Sequence, residues 1–131
     1  MEEPEILIVD DNPEIREVAM VLLKGEGFTV DEAGDGKEAL DKIEHGAYDL
    51  ILLDVMMPGM TGFEGCAQLK ADPRTAMIPV IFVTALADVA DEARGFALGA
   101  VDYITKPVSP PIVKARVSTH LSLVRVEELL Q

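Results

Sequence analysis

The sequence predicts an α/β domain in which a parallel sheet is sandwiched between two layers of helices, and three observations carry that prediction. Five short apolar runs recur at intervals of roughly 20 to 30 residues, the length of one strand-plus-helix unit. The segments between them place apolar residues at helical spacing. Two of the runs, Leu50-Ile-Leu-Leu53 and Val80-Ile-Phe-Val83, are continuously apolar rather than alternating, so those strands are buried on both faces and therefore parallel. The expected architecture is (βα)5.

Each element has its own signals. The first strand is Glu5-Ile-Leu-Ile-Val9. Asn12-Pro13 then sets a capping residue and a first-turn proline at the start of a helix whose apolar stripe is Ile15, Val18, Ala19, Leu22 and Leu23, and which Gly25 and Gly27 stop. The second strand centres on Thr29-Val30, and Gly34 and Gly36 bracket the turn into a helix carrying Ala39, Leu40 and Ile43. After the third strand, a helix from near Thr61 carries Phe63, Cys66, Ala67 and Leu69. After the fourth, a helix from Asp88 carries Val89, Ala93, Phe96 and Ala97. The fifth strand is Val101-Asp-Tyr-Ile104, and the last helix runs from Pro110 to the end.

Composition narrows the function. At 131 residues and 14.2 kDa the chain makes one ordinary domain. Eleven Lys plus Arg against 24 Asp plus Glu give a net charge of −13, which opposes direct binding to DNA, RNA or an anionic membrane surface. The lone Cys66 excludes an internal disulfide and a cysteine-based zinc site, and reads as core filler. The acidic start lacks a signal-peptide layout, and no apolar run approaches the 18 or so residues a membrane span needs, so a cytoplasmic protein is expected.

In an open parallel sheet the ligand site lies at the carboxyl ends of the strands, where the strand order reverses. The first strand ends in Asp10-Asp11, the third in Asp54, the fourth in Thr84 and the fifth in Lys106-Pro107. One aspartate after a strand is an ordinary helix cap; polar groups at four of five matching positions form a site. Three carboxylates about 5 Å apart repel by roughly 3 kcal/mol per pair at an effective dielectric of 20, so a compensating cation is expected. Hard carboxylate oxygens without thiolate or imidazole select Mg²⁺, with Mn²⁺ as the alternative. Carboxylate, cation, ammonium and hydroxyl together suit phosphoryl transfer, with Asp54, the lone acid of the central strand, as nucleophile.

The segments Ile-Leu-Ile-Val-Asp10-Asp11-Asn12, Leu-Leu-Asp54-Val-Met-Met-Pro58-Gly59-Met-Thr-Gly62, Val-Ile-Phe-Val-Thr84-Ala85 and Tyr103-Ile-Thr-Lys106-Pro107 together resemble the receiver domain of two-component response regulators, of the chemotaxis-regulator type. The resemblance runs from about residue 5 to residue 122 of a single domain spanning 1–131, with 123–131 as an extension of the C-terminal helix. It implies a flavodoxin-like sheet of order 2-1-3-4-5. It further implies Asp54 as phosphoacceptor, Asp10, Asp11, Asp54 and the backbone carbonyl of Met56 as the Mg²⁺ site, with Asp10 acting mainly through water. Thr84 matches the switch hydroxyl, Lys106 the phosphate-pairing lysine, and Tyr103 the aromatic that turns inward on activation. The peptide before Pro107 is expected cis. Thr61 stands where the family often has Asp, and keeps a short capping side chain.

The implied function is a switch phosphorylated by a histidine kinase or phosphotransfer protein, which changes the surface formed by the fourth helix, fifth strand and last helix; only self-phosphorylation and self-dephosphorylation are expected of it as an enzyme. A haloacid-dehalogenase-type phosphatase needs a second Asp two residues after the nucleophile, and Met56 stands there. A mononucleotide-binding protein needs an anion loop after the first strand, where Asp-Asp-Asn would repel phosphate. A non-phosphorylated receiver would not need Asp10, Asp11, Asp54, Thr84 and Lys106 together. His45 reads as a C-terminal helix cation, and His120 as remote from the rim. In the last helix Val113, Val117, Leu121 and Val124 form one stripe, and Leu123, Val126 and Leu130 a second. The second is either a weak dimerising seam leading to an output domain of the diguanylate cyclase or phosphodiesterase kind, or the tolerance of a fraying end.

Overall fold

The computed structural model describes residues 4–85 and 89–129, and of Val89 and residues 124–129 the backbone alone. Strands and helices alternate: β1 (Glu5–Val9), α1 (Pro13–Gly25), β2 (Thr29–Ala33), α2 (Gly36–His45), β3 (Leu50–Asp54), α3 (Gly62–Ala71), β4 (Val80–Thr84), α4 (Val89–Ala97), β5 (Asp102–Thr105) and α5 (Pro110–Leu129). All pairings are parallel and the order is β2-β1-β3-β4-β5, as the resemblance implied. Among the described residues no helix is long and apolar enough to cross a membrane.

Alternation along the strands sends side chains to two cores. Leu7, Val9, Ile51, Leu53 and Phe82 pack with Ala39, Ile43, Phe63, Cys66 and Leu69 from α2 and α3. Ile6, Ile8, Leu52, Ile81 and Ile104 pack with Ala19 and Leu23 of α1 and with Val113, Val117 and Leu121 of α5. β3 and β4 are buried at every position, which their continuous apolar runs required. The helix starts follow the cap chemistry: Asn12, Asp35 and Thr61 accept from the N–H of Glu14, Glu38 and Glu64 respectively. Thr61 thus does the work of the family's Asp. The His45 ring bonds to the Asp41 carbonyl at the exposed end of α2.

Three expectations are corrected. β5 begins at Asp102 rather than Val101, which is 39% exposed. Val18 is 58% exposed: Ala19 and Leu23 define the buried side of α1, and Val18 lies on its flank. In α4, Phe96 is 48% exposed and Ala93 and Ala97 are exposed, so these three are not core; among the described side chains of the helix the buried position is Gly95, and the Val89 side chain lies outside them. The start of that helix at Asp88 lies outside the described residues. In α5 Leu123 is 52% exposed, while the Val124, Val126 and Leu130 side chains lie outside the described ones.

Candidate functional site

The parallel register brings the strand ends level. Val9 faces Leu53, Asp54 faces Val83, and Thr84 faces Thr105, so Asp10, Asp54, Thr84 and Lys106 come to one rim. Asp10 (2% exposed), Asp54 (2%) and Thr84 (0%) are the buried polar side chains among the described residues, and all three are at this rim. Groups that folding tends to keep in water are gathered where the sheet ends.

Lys106 binds the acids together. Its Nζ lies 2.9 Å from Asp10 Oδ2 and 3.4 Å from Asp54 Oδ2, its N–H donates to the Thr84 carbonyl at 2.9 Å, and the Lys106–Pro107 peptide is cis. Asp10 Oδ1 accepts the Asn12 N–H at 2.9 Å and Asp54 Oδ1 the Met56 N–H at 3.3 Å. Burial of Asp54, then the charge of Asp10, push its carboxyl up to about 6, against the pull of Lys106 and the Met56 N–H. Burial works against the ammonium of Lys106, yet its bonds to Asp10 and Asp54 hold it above the ordinary lysine range.

Asp11, exposed at the mouth, completes a group whose carboxylate oxygens lie within 4.8 Å of one another with Asp10 and Asp54. Of these three carboxyl groups, the Lys106 ammonium pairs with Asp10 and Asp54. Burial and the neighbouring charge of Asp10 raise the Asp54 carboxyl, and a hard oxygen-ligated divalent cation fits this group of acids. The backbone of Met56 lies beside Asp54, and the residue is 61% exposed.

The loop after β3 is held tightly. The Gly62 N–H donates to the Val55 carbonyl at 2.9 Å, and a Cβ at Gly62 would overlap the Asp54 carbonyl oxygen. Only glycine lets α3 begin so close to this aspartate.

Tyr103 lies inward, 8% exposed, with its ring 5.4 Å from both Phe82 and Phe96. Its hydroxyl donates to the Asp91 carbonyl of α4 at 2.8 Å. The ring lies across Gly95, where a Cβ would overlap the tyrosine hydroxyl and ring. Sequence reading missed Gly95, since a helical glycine has no side chain to enter an apolar stripe. His120 is remote from the rim, as read, but it is not unpartnered: its Nε2 lies 3.0 Å from Asp102 Oδ2 at the start of β5, and Arg116 donates to Oδ1 at 2.6 Å. The spacing of Arg116 and His120, one helical turn, was the available signal.

Cys66 is buried with its thiol pushed up by burial, which suits core filler rather than a reactive group. A groove of about 570 Å³, lined by residues including Tyr48, Leu69, Asp72 and Thr75, holds none of the predicted site residues.

Comparison with known proteins agrees with this geometry. The model of the response regulator receiver domain matches residues 6–118. A Vibrio cholerae protein named "Probable cyclic di-GMP phosphodiesterase" is 45% identical over 129 residues, 95% of this chain and 28% of its own length. The DNA-binding response regulator MtrA of Mycolicibacterium smegmatis is 41% identical over 116 residues, 88% of this chain and 50% of its own. This chain therefore spans half or less of those relatives. The solved CheY-like receiver domain protein of Methanospirillum hungatei superposes with a TM-score of 0.90 at 30% identity, covering 96% of this chain and 99% of that one. Vibrio cholerae chemotaxis protein CheY4 gives 0.86, also at 30%, covering 90% and 98%. The chain belongs to the response regulator receiver domain family.

Proposed function

We propose that Asp54 is the phosphoacceptor of this receiver, and that Asp10, Asp11, Asp54 and the Met56 carbonyl hold the Mg²⁺ on which the transfer depends. The observation that carries the reading is the setting of Asp54: a buried carboxylate between the Lys106 ammonium and the acidic pair, at the end of the central strand. Both Asp10 oxygens are already engaged, by Lys106 and the Asn12 N–H, which supports a water-mediated role for Asp10 and a direct one for Asp11 and Asp54. The bound cation would neutralise phosphoryl oxygens as charge builds on them.

The chain's own residues do the rest. An Asp54 carboxylate oxygen attacks phosphorus, the bond from phosphorus to the donor's leaving group breaks, and that group departs with the electron pair. Lys106, 3.4 Å from Asp54, then pairs with the new phosphoryl oxygens, and Thr84 supplies a hydroxyl that follows them. Phosphorylation takes roughly one negative charge at Asp54 to about two. A shift of Thr84 reaches Tyr103 through the adjacent strand, and Tyr103 is bonded to α4, so the α4–β5–α5 surface changes with the phosphoryl state.

The phosphodonor partner is a histidine kinase or phosphotransfer protein, in the cytoplasm. An output domain of the cyclic di-GMP kind is supported by the 45% relative, whose match extends over 95% of this chain. Acetyl phosphate with Mg²⁺ should add one phosphoryl group by mass spectrometry, and Asp54→Asn should add none. Efficient labelling of the Asn variant would sink the assignment. Beryllofluoride should shift the NMR signals of Tyr103 and α4; unchanged signals there would refute the proposed route.

A further inference from the structure

Asp11 is exposed, so its carboxylate has no core packing to aim it at Asp54. Its direction is set through the peptide that joins it to Asp10, and that peptide is held by a residue outside the acidic cluster. Arg16, one turn into α1, reaches back over the start of its own helix. Its terminal nitrogen donates to the Asp10 carbonyl at 2.7 Å, and its Nε pairs with Glu32 Oε1 of β2 at 3.0 Å. The Asp10 N–H donates to the Ala33 carbonyl of β2 at 3.1 Å. Residue 10 is thus tied to β2 on both sides, through its own N–H and through the Arg16–Glu32 bridge.

We infer that Arg16, braced by Glu32, is a positioning residue for the cation site: it fixes the Asp10–Asp11 peptide so that the Asp11 carboxylate faces Asp54. The inference rests on the proposed cation site. The guanidinium side chain is 17% exposed, and its planar fork serves carbonyl and carboxylate at fixed angles, which a lysine ammonium cannot reproduce. Charge alone would argue against such a residue, because a cation beside a divalent-ion site repels the ion; Glu32 offsets that charge.

The two roles of Arg16 have opposite signs, and this makes the test sharp. As a charge, its removal should tighten Mg²⁺; as a positioning residue, its removal should loosen it. Mg²⁺ affinity is measured calorimetrically on the unphosphorylated protein for the parent, Arg16→Gln, Arg16→Lys, Asp11→Ala and Lys42→Gln. Both Arg16 variants should weaken Mg²⁺ about tenfold, the usual cost of removing a group that orients a ligand. Arg16→Lys keeps the charge, so a loss there isolates the fork. Lys42→Gln cuts the bonds to Asp31 and the Glu32 carbonyl on the same strand without touching Asp10, and should bind like the parent. Unchanged or tighter binding in the Arg16 variants, or an equal loss in Lys42→Gln, would overturn the inference. If instead Asp11→Ala binds like the parent, the cation site itself is misplaced and both readings fall.

Discussion

Asp54 and Asp102 are aspartates on strands of one sheet, and their surroundings push them in opposite directions. Asp54 ends β3, 2% exposed, close to another carboxylate that shares its ammonium; burial and Asp10 raise its carboxyl to about 6. Asp102 starts β5. Burial raises it too, but hydrogen bonds from Arg116, His120 and the Tyr103 N–H outweigh burial and hold it below the ordinary carboxylate range. Asp31 on β2 is of the second kind: burial is outweighed by the hydroxyl of Tyr48, the Glu32 N–H and Lys42. An acid surrounded by donors is satisfied and holds structure. An acid crowded by its own kind is held there by the rest of the fold, and such places are where function is found.

The largest effect is expected where the single ammonium is removed. Lys106→Met leaves Asp10 and Asp54 facing each other without a counter-charge and should cost about 3 kcal/mol in metal-free buffer, measured by urea unfolding at pH 7.5. Added Mg²⁺ should recover part of it. A variant as stable as the parent would mean that the acids at the rim do not crowd.

Asp102→Asn probes the satisfied acid and should cost about 2 kcal/mol, because the Arg116 guanidinium loses its carboxylate partner and the His120 ring loses the Oδ2 it bonds. The pH dependence follows from the lowered value. Its contribution is fully present above the unfolded value of 3.8 and disappears as pH falls through the folded one. The parent and Asp102→Asn should therefore converge in stability as pH falls below 3.8, seen in acid titrations followed by circular dichroism. A constant difference down to pH 2 would contradict the pairing.

Gly95→Ala should act at the link between β5 and α4. The new methyl would displace the far end of Tyr103, breaking its bond to Asp91, at about 1 kcal/mol. The NMR signals of Tyr103 should move to those of an exposed ring while Mg²⁺ affinity stays unchanged. An unmoved ring would show that α4 yields instead.

Much of this was legible in the sequence because the chemistry breaks the hydropathy pattern. Asp10, Asp54 and Thr84 each close an apolar strand and Lys106 follows β5; one such residue is an ordinary helix cap, but four at one rim are a site. The caps at Asn12 and Thr61 were readable because capping is local, within three residues. Arg16 was not readable: its partners lie 6 and 16 residues away, and nothing in a helical period distinguishes this arginine from a solvated one. α4 misled for a related reason. Ala93 is exposed and Phe96 half-exposed against the Tyr103 ring, while the closest approach to that ring is made at Gly95, which reads from sequence as a weak helix position. Asp102 carried no signal of its own within the fifth strand; its partners Arg116 and His120 come from α5, 14 and 18 residues on.

The contrast between crowded and satisfied acids is tested most directly by the thermal unfolding of the parent and Asp54→Asn in metal-free buffer at pH 7.5. Replacing an ionised carboxylate held above its ordinary range by a neutral isostere should stabilise the fold, by about 2 kcal/mol once solvent screening at this rim is allowed for, raising Tm by roughly 5–10 °C for a domain of this size. Mg²⁺ should then raise the parent more than the variant. An Asn variant that melts at or below the parent without metal would show that Asp54 is a satisfied acid like Asp102, and would contradict the account of this rim as a site.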